Sequence, residues 1–256
     1  MITKYDSKFE TLAINAAKAA RSVIINGKTS IDLKTKSVGR DIKLEVDRLS
    51  HETIAELLLD SGIPVISEEQ INQCKSYIDY DLVWIIDPLD GSYNLKRGFP
   101  YSCISISLFA HGRPVFGCIQ EVDTGNFYQS SSSLAASVNG SLIHVSSYEE
   151  PEESVLATGF PVHRSYEKED LEKFVTQVQA FKKVRMIGSA ARSLCLVAEG
   201  VFDIYWEDGI YIWDVAAGLA LVEGAGGSFS IVNTKDPFKV NVIAGNERLL
   251  SKVKLN

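Results

Sequence analysis

The stretch DLVWIIDPLDGSYN, residues 81–94, runs from an apolar segment straight into two aspartates, a proline and a glycine. Residues 81–87 read as a short buried strand, with Asp87 and Asp90 standing at its end. Upstream, IPVIS (63–67) reads as a second such strand, and it ends in Glu68-Glu69. Carboxylates at the ends of neighbouring strands can converge on one spot. There they repel one another strongly unless cations hold them together.

Further outward, two helical patterns precede these strands, at about 7–26 and about 47–61. In the second, Leu49, Ile54, Leu57 and Leu58 recur on one face. The polar stretch between them, with Gly39, reads as a hairpin or loop. SCISISLFA (102–110), the turn His111-Gly112 and RPVFGCIQEV (113–122) form an antiparallel hairpin, and GNFYQSSS (125–132) continues the meander. After Pro151, strands alternate with helices. VLATGFP (155–161) is a strand and LEKFVTQVQAFKK (171–183) a helix, while residues 184–200 pass from a strand through Gly188-Ser189 into another helix. VFDIYWED (201–208) is a strand, 212–227 a helix that carries Trp213-Asp214 at its start, and 229–233 and 240–245 are closing strands. The one plausible seam, near 145–153, separates an N-terminal unit, residues 1–148, from a C-terminal unit, residues 149–256.

Composition removes several function classes. With 33 acidic against 26 basic residues the net charge is −7, and Lys and Arg form no stripe that could track the phosphates of a nucleic acid. No apolar run approaches the length of a membrane span. Asp6, Lys8 and Glu10 stand where a secretory signal would be apolar, so the start of the chain reads as an amphipathic helix. Cys74, Cys103, Cys118 and Cys195 are widely spaced, which reads as buried reduced thiols in a cytoplasmic protein. The four dispersed histidines argue against a zinc site.

The acids carry the chemistry. Oxygen-only ligands select Mg²⁺, Mn²⁺ or Ca²⁺, and the amides of Gly91 and Ser92 suit phosphate oxygens. Together they point to phosphoester chemistry. Taken singly, each feature has a plainer reading: Glu68-Glu69 as a solvated pair, Asp87 to Gly91 as a turn, Asp214 as a helix cap beside a core Trp, and Asp47 as a helix cap.

In this order, Glu68-Glu69, WIIDPLDGSYN, GSAARSLCLVAEG and EDGIYIWDVAAGLALVEGAGG resemble the inositol monophosphatase superfamily, which also holds fructose-1,6-bisphosphatases and 3′,5′-bisphosphate nucleotidases. Its pattern is an acidic pair, a D-P-[ILV]-D-G-[TS] box and a W-D-x-A-[AG]-G box, and the likeness covers nearly the whole chain. The resemblance implies an α/β fold of layered αβαβα type, with the site in the cleft between the two units. It implies two to three Mg²⁺ ions, with Mn²⁺ as a substitute. Glu68, Asp87 and the Leu89 carbonyl would hold one, Asp87, Asp90 and Asp214 a second, and Glu68 a third. Asp47 and Ser92 would position the attacking water, so that Asp47, Ser92 and Glu68 are the catalytic residues. Asp90, Gly91, Ser92 and Asp214 would receive the phosphate, and Gly188, Ser189, Ala190 and Glu207 the sugar. Lys36 matches a family lysine on a mobile segment near the third ion.

There are departures: Ser92 stands for the commoner Thr, Leu44 for a Thr three residues before Asp47, and Asn94-Leu95 for Asn-Phe, the last read as packing. Arg192 has two readings, reaching a second phosphate as a bisphosphatase requires, or lying on the outer face of its helix. A carboxylate at 207 can accept hydrogen bonds from ring hydroxyls. The expected activity is therefore Mg²⁺-dependent, lithium-sensitive hydrolysis of inositol monophosphate or a related polyol phosphate. The alternatives are a fructose-1,6-bisphosphatase, a bisphosphate nucleotidase, or a non-catalytic regulatory protein on the same fold. The expected partners are a small phosphorylated substrate and a second copy in a homodimer, with no nucleic acid and no membrane.

Overall fold

The computed structural model describes residues 6–30, 35–38, 41–73, 75–160 and 167–253. Its organising strand, β4 (Leu82–Asp90), is buried along eight of its nine residues, because both faces are covered by other layers. It does not end at Asp87 as the apolar run suggests. Pairing with β5 (Cys103–Ala110) continues from Asp87↔Ser105 to Asp90↔Cys103 across a bulge that takes up Pro88 and Leu89.

Antiparallel neighbours extend the sheet. β5 turns at His111-Gly112 into β6 (Arg113–Glu121), both turn residues having positive φ, as a two-residue hairpin requires. β7 (Phe127–Ser131), β8 (Leu134–Val138) and β9 (Ser141–Leu142) complete that side, and the last two have no separate signal in the sequence pattern. On the other side β3 (Val65–Ser67) pairs parallel with β4, so that Glu68 leaves its strand beside the β4 bulge.

Alternation along β4 sorts its residues into two cores. Trp84 and Ile86 face α1 (Lys8–Ser30) and α2 (Glu45–Leu59), where Ala13, Ala16, Ala17 and Ala20 let α1 lie close against the sheet. α2 begins two residues before Asp47, which places Asp47 inside the first turn rather than at its cap. β1 (Thr35–Val38) and β2 (Asp41–Leu44) form an antiparallel pair ahead of it.

Val83 and Ile85 face α5 (Ala190–Ala198) and α6 (Ile212–Gly224), two apolar helices enclosed between sheets. The second sheet lies beyond them, in the order β11 (Lys183–Arg185), β10 (Val155–Ala157), β12 (Ile204–Tyr211), β14 (Lys239–Gly245), β13 (Ser228–Asn233). Lys183 belongs to β11 instead of ending the preceding helix, α4 (Lys168–Gln179). Leu156, Ile204, Trp206 and Ile243 on the outer face of this sheet pack with Phe181, beyond α4, and with Leu249 of α7 (Glu247–Leu250). The result is helix, sheet, helix, sheet, helix, the αβαβα layering expected. Among the described residues no helix is long and apolar enough to cross a membrane. Cys103, Cys118 and Cys195 are buried and free, as expected, while Cys74 lies outside the described residues.

Candidate active site

The β4 bulge is held from several directions. Asp87 Oδ1 accepts the Leu89 amide at 2.9 Å, which curls the chain back on itself. From α2, the buried Ser50 hydroxyl donates to the Pro88 carbonyl at 2.7 Å. Gly91 follows with φ +80° and has the Tyr101 carbonyl 2.5 Å from where a Cβ would stand, so only glycine fits. α3 (Ser92–Arg97) begins at once. Ser92 Oγ lies 2.9 Å from the Leu89 carbonyl and 3.1 Å from Asp47 Oδ1, and its one proton serves either. Asn94 is more than packing: its amide donates to the carbonyls of Tyr101 and Ile187, each at 2.8 Å, pinning α3 to the segment that leads into α5. Leu95 is buried, as a packing residue.

α5 brings its N-terminus to the bulge. Ser189 caps it, and the Ser189 hydroxyl and the Ala191 amide each donate to Asp90 Oδ2 at 2.7 Å. Asp214 arrives from the first turn of α6. The three aspartates share one electrostatic problem. Burial, reinforced by Asp90, Asp214 and Glu68, holds the Asp87 carboxyl well above the usual range. Burial likewise raises Asp90, to about 6 even with the Ser189 and Ala191 donors opposing it. Asp214 is raised by burial and then by Asp90, Glu68 and Glu207, with Asp87 opposing the rise.

These groups line a cleft of about 320 Å³. Asp47, Glu68, Asp87, Leu89, Asp90, Gly91, Ser92, Gly188, Ser189, Ala190, Glu207 and Asp214, all twelve singled out in the sequence, border it. Among the described residues no three Asp, Glu, His or Cys side chains already converge on a single metal position. The carboxylates couple through the field of the cleft, and the fit to a hard divalent cation is one of donor chemistry. The acidic donors are oxygen-only, and positive charge would relieve their mutual repulsion. The Lys36 and Leu44 side chains lie outside the described residues.

Neither reading of Arg192 holds. Its side chain turns inward, away from the cleft and from solvent, to Glu121 at 2.5 Å and Glu199 at 3.3 Å. The cause is the buried Glu121 carboxylate on β6, which needs a cation.

Sequence reading overlooks Thr158, Gly159, Phe160, Tyr205 and Tyr211, which also border the cleft. Tyr205 is within its reach: two residues before Glu207 in a strand, it shares that residue's face, and its hydroxyl donates to Glu207 Oε2 at 2.7 Å. Burial and the Glu207 charge hold the Tyr205 hydroxyl protonated, well above the ordinary phenol range.

Known proteins resemble this chain in sequence and fold. The chain is 33% identical to the Nus factor SuhB of Xylella fastidiosa over 92% of its own length and 89% of that protein. It is 33% identical to the fructose-1,6-bisphosphatase/inositol-1-monophosphatase of Thermococcus kodakarensis, with 94% of each covered. Among solved structures, the extragenic suppressor protein suhB of Bartonella henselae superposes with a TM-score of 0.81 at 28% identity, 95% of each chain being covered. The inositol monophosphatase of Anabaena superposes with a TM-score of 0.77 at 29% identity and 97% coverage of each. Residues 4–255 match the sequence pattern of the inositol monophosphatase family, and the chain belongs to that family.

Proposed function

We propose that the chain is a Mg²⁺-dependent phosphate monoester hydrolase that acts on inositol monophosphate or a related polyol phosphate. Family membership makes it a phosphatase. The observation that carries the finer reading is that the acid cluster and Glu207 face one cleft from opposite sheets.

Glu68, Asp87 and the Leu89 carbonyl on one side, and Asp87, Asp90 and Asp214 on the other, would hold the ions, with Glu68 reaching a third. Bound Mg²⁺, or Mn²⁺ in its place, supplies neutralisation of the phosphate, a lowered pKa for the attacking water and stabilisation of the departing oxygen. The chain's own groups do the positioning. With Asp47 accepting the Ser92 proton, the Ser92 oxygen keeps lone pairs for a water proton and orients that water toward phosphorus. Asp90 is itself oriented by Ser189 and Ala191, so the start of α5 controls where the phosphate sits. Glu207 accepts hydroxyl protons from the alcohol part.

The inward turn of Arg192 weighs against a bisphosphate substrate, because that guanidinium is committed to Glu121 and Glu199. The relatives named Nus factors do not displace a catalytic reading, since all the acids expected of a catalyst are present. A homodimer in the cytoplasm is part of the proposal, and light scattering of the purified protein tests the dimer. The decisive experiment is phosphate release across inositol 1-phosphate, fructose 1,6-bisphosphate, adenosine 3′,5′-bisphosphate and glycerol phosphates, with Mg²⁺ and with excess EDTA. The highest kcat/KM is expected for the inositol ester, with lithium inhibiting. Release undiminished by EDTA would sink the metal reading, and preference for a bisphosphate would sink the substrate reading.

A further inference from the structure

Glu207 occupies an unusual position for an acid expected to meet solvent and substrate: it is 4% exposed. Two of its contacts bear on its position. The Tyr205 hydroxyl, wholly buried, donates to Oε2 at 2.7 Å. The carboxylate also lies against the backbone of Gly159, where a Cβ would stand 2.3 Å from Oε2, 2.6 Å from Oε1 and 2.7 Å from Cδ. Gly159 is not loosely placed. β10 and β12 run parallel with Ala157 beside Tyr205, and the Thr158 hydroxyl donates to the Trp206 carbonyl at 2.6 Å, which clamps the end of β10 to β12. Two residues beyond the Ala157 pairing, Gly159 therefore comes alongside Glu207. Ile204 and Trp206 point to the opposite face of the sheet, so Tyr205 and Glu207 share the inner face, toward the cleft.

From this geometry we infer that Tyr205 and Gly159 are positioning residues for Glu207: the phenol holds the carboxylate by its proton and the missing side chain at 159 gives the carboxylate room. The consequence is specificity. A carboxylate held in one attitude recognises hydroxyls at a fixed distance from the phosphate, whereas a mobile one loses much of its hydrogen-bond energy to ordering. Tyr205 acts through Glu207 and touches no reacting atom. The inference rests on the proposal that Glu207 faces the alcohol part of the substrate.

Both halves are tested first with Glu207 in place. Gly159 lies outside the left-handed region, so Gly159→Ala introduces no backbone strain and acts through its methyl group alone. Tyr205→Phe keeps the buried ring and removes only the donor. Each variant should lower the ratio of kcat/KM for myo-inositol 1-phosphate over phenyl phosphate, which has no hydroxyl to read. The expected fall is about tenfold, the value of one hydrogen bond to a charged group. The change should sit in KM for the inositol ester, and in a Glu207→Gln background neither variant should lower the ratio further. A parallel fall for both esters would overturn the inference, as would an additive loss in the Glu207→Gln background.

A crystal structure of Gly159→Ala supplies a readout independent of turnover. Displacement of the Glu207 carboxylate from its wild-type position supports the inference, and an unmoved carboxylate overturns it. If the wild type hydrolyses phenyl phosphate with no preference for the inositol ester, the polyol reading of Glu207 fails, while the crystal structure still decides whether Gly159 positions it.

Discussion

Replacing Arg192 by Met tests whether the guanidinium serves the fold or the cleft. Its Nε lies 2.5 Å from Glu121 Oε1, with side chains only 11% and 5% exposed, and its Nη1 lies 3.3 Å from Glu199. The Tyr128 hydroxyl stands 2.9 Å from Glu199 and 3.2 Å from Glu121, and the guanidinium covers the Tyr128 ring. Thr124 and Asn126 donate to the other Glu121 oxygen, so with the Tyr128 hydroxyl three neutral donors remain after the substitution, but among the described residues no ion-paired cation. Breaking a buried pair from one side costs about 3–5 kcal/mol, because the stranded charge stays desolvated. At roughly 2–4 °C per kcal/mol for a chain of this size, melting should fall by about 6–20 °C. Removing the stranded charge as well, in Arg192→Met/Glu121→Gln, should recover a substantial part, so the two losses are far from additive. Urea unfolding followed by tryptophan fluorescence measures Arg192→Met, Glu121→Gln and the double variant. A loss below about 1 kcal/mol would refute the buried-pair account. So would a stable variant whose only defect is a raised KM for bisphosphate esters, since that would return Arg192 to the cleft.

Asp90→Asn should abolish phosphate release, by at least the 10²–10³-fold order seen when one electrostatic group is removed from a reaction site, while circular dichroism stays native. Near-wild-type turnover would refute its assignment as a ligand. Metal-free protein should lose stability as pH rises from about 4 to about 6. The Asp90 pKa of about 6 lies above its ordinary value of 3.8, so the folded state binds the extra proton in that window. The single-group magnitude is on the order of 3 kcal/mol. Melting temperatures in EDTA should fall across the window, and Mg²⁺ should reverse the fall; a flat profile in EDTA would contradict the cost of burying the Asp90 charge. Ser50→Ala should cost about 1–3 kcal/mol in urea unfolding, because the Pro88 carbonyl loses a buried donor. It should also raise the Mg²⁺ concentration needed for half-maximal activity, and an unchanged requirement would show that the bulge keeps its shape without α2.

Legibility in the sequence follows the range of the interactions. The strands around 63–67 and 81–87 are readable because continuous apolar runs bounded by acids have few other solutions. The His111-Gly112 hairpin is readable because turn chemistry is local. The β4 bulge is not, because Pro88 and Gly91 signal a chain reversal locally, while pairing with β5 carries the strand on to Asp90. The start of α2 reads too late for a related reason: Glu45 and Val46 have no apolar periodicity upstream to announce them.

At the site the same division holds. The motifs, through the family resemblance they carry, nominate twelve residues that border one cleft, since strand ends and helix starts are where a layered sheet protein can expose polar groups. Arg192 shows the limit. Its helix is evident, but its direction depends on Glu121, 71 positions earlier in the chain and brought alongside only when α5 packs between the two sheets. Gly159 is the second case, because nothing near it in sequence says that a carboxylate 48 residues away will rest on its Cα. Residue type, periodicity and order therefore determined which acids could form a cation-binding site and on what kind of scaffold. Tertiary packing alone decided which charge meets which and where a missing side chain becomes room, because such contacts depend on the layers closing and leave no trace in local spacing.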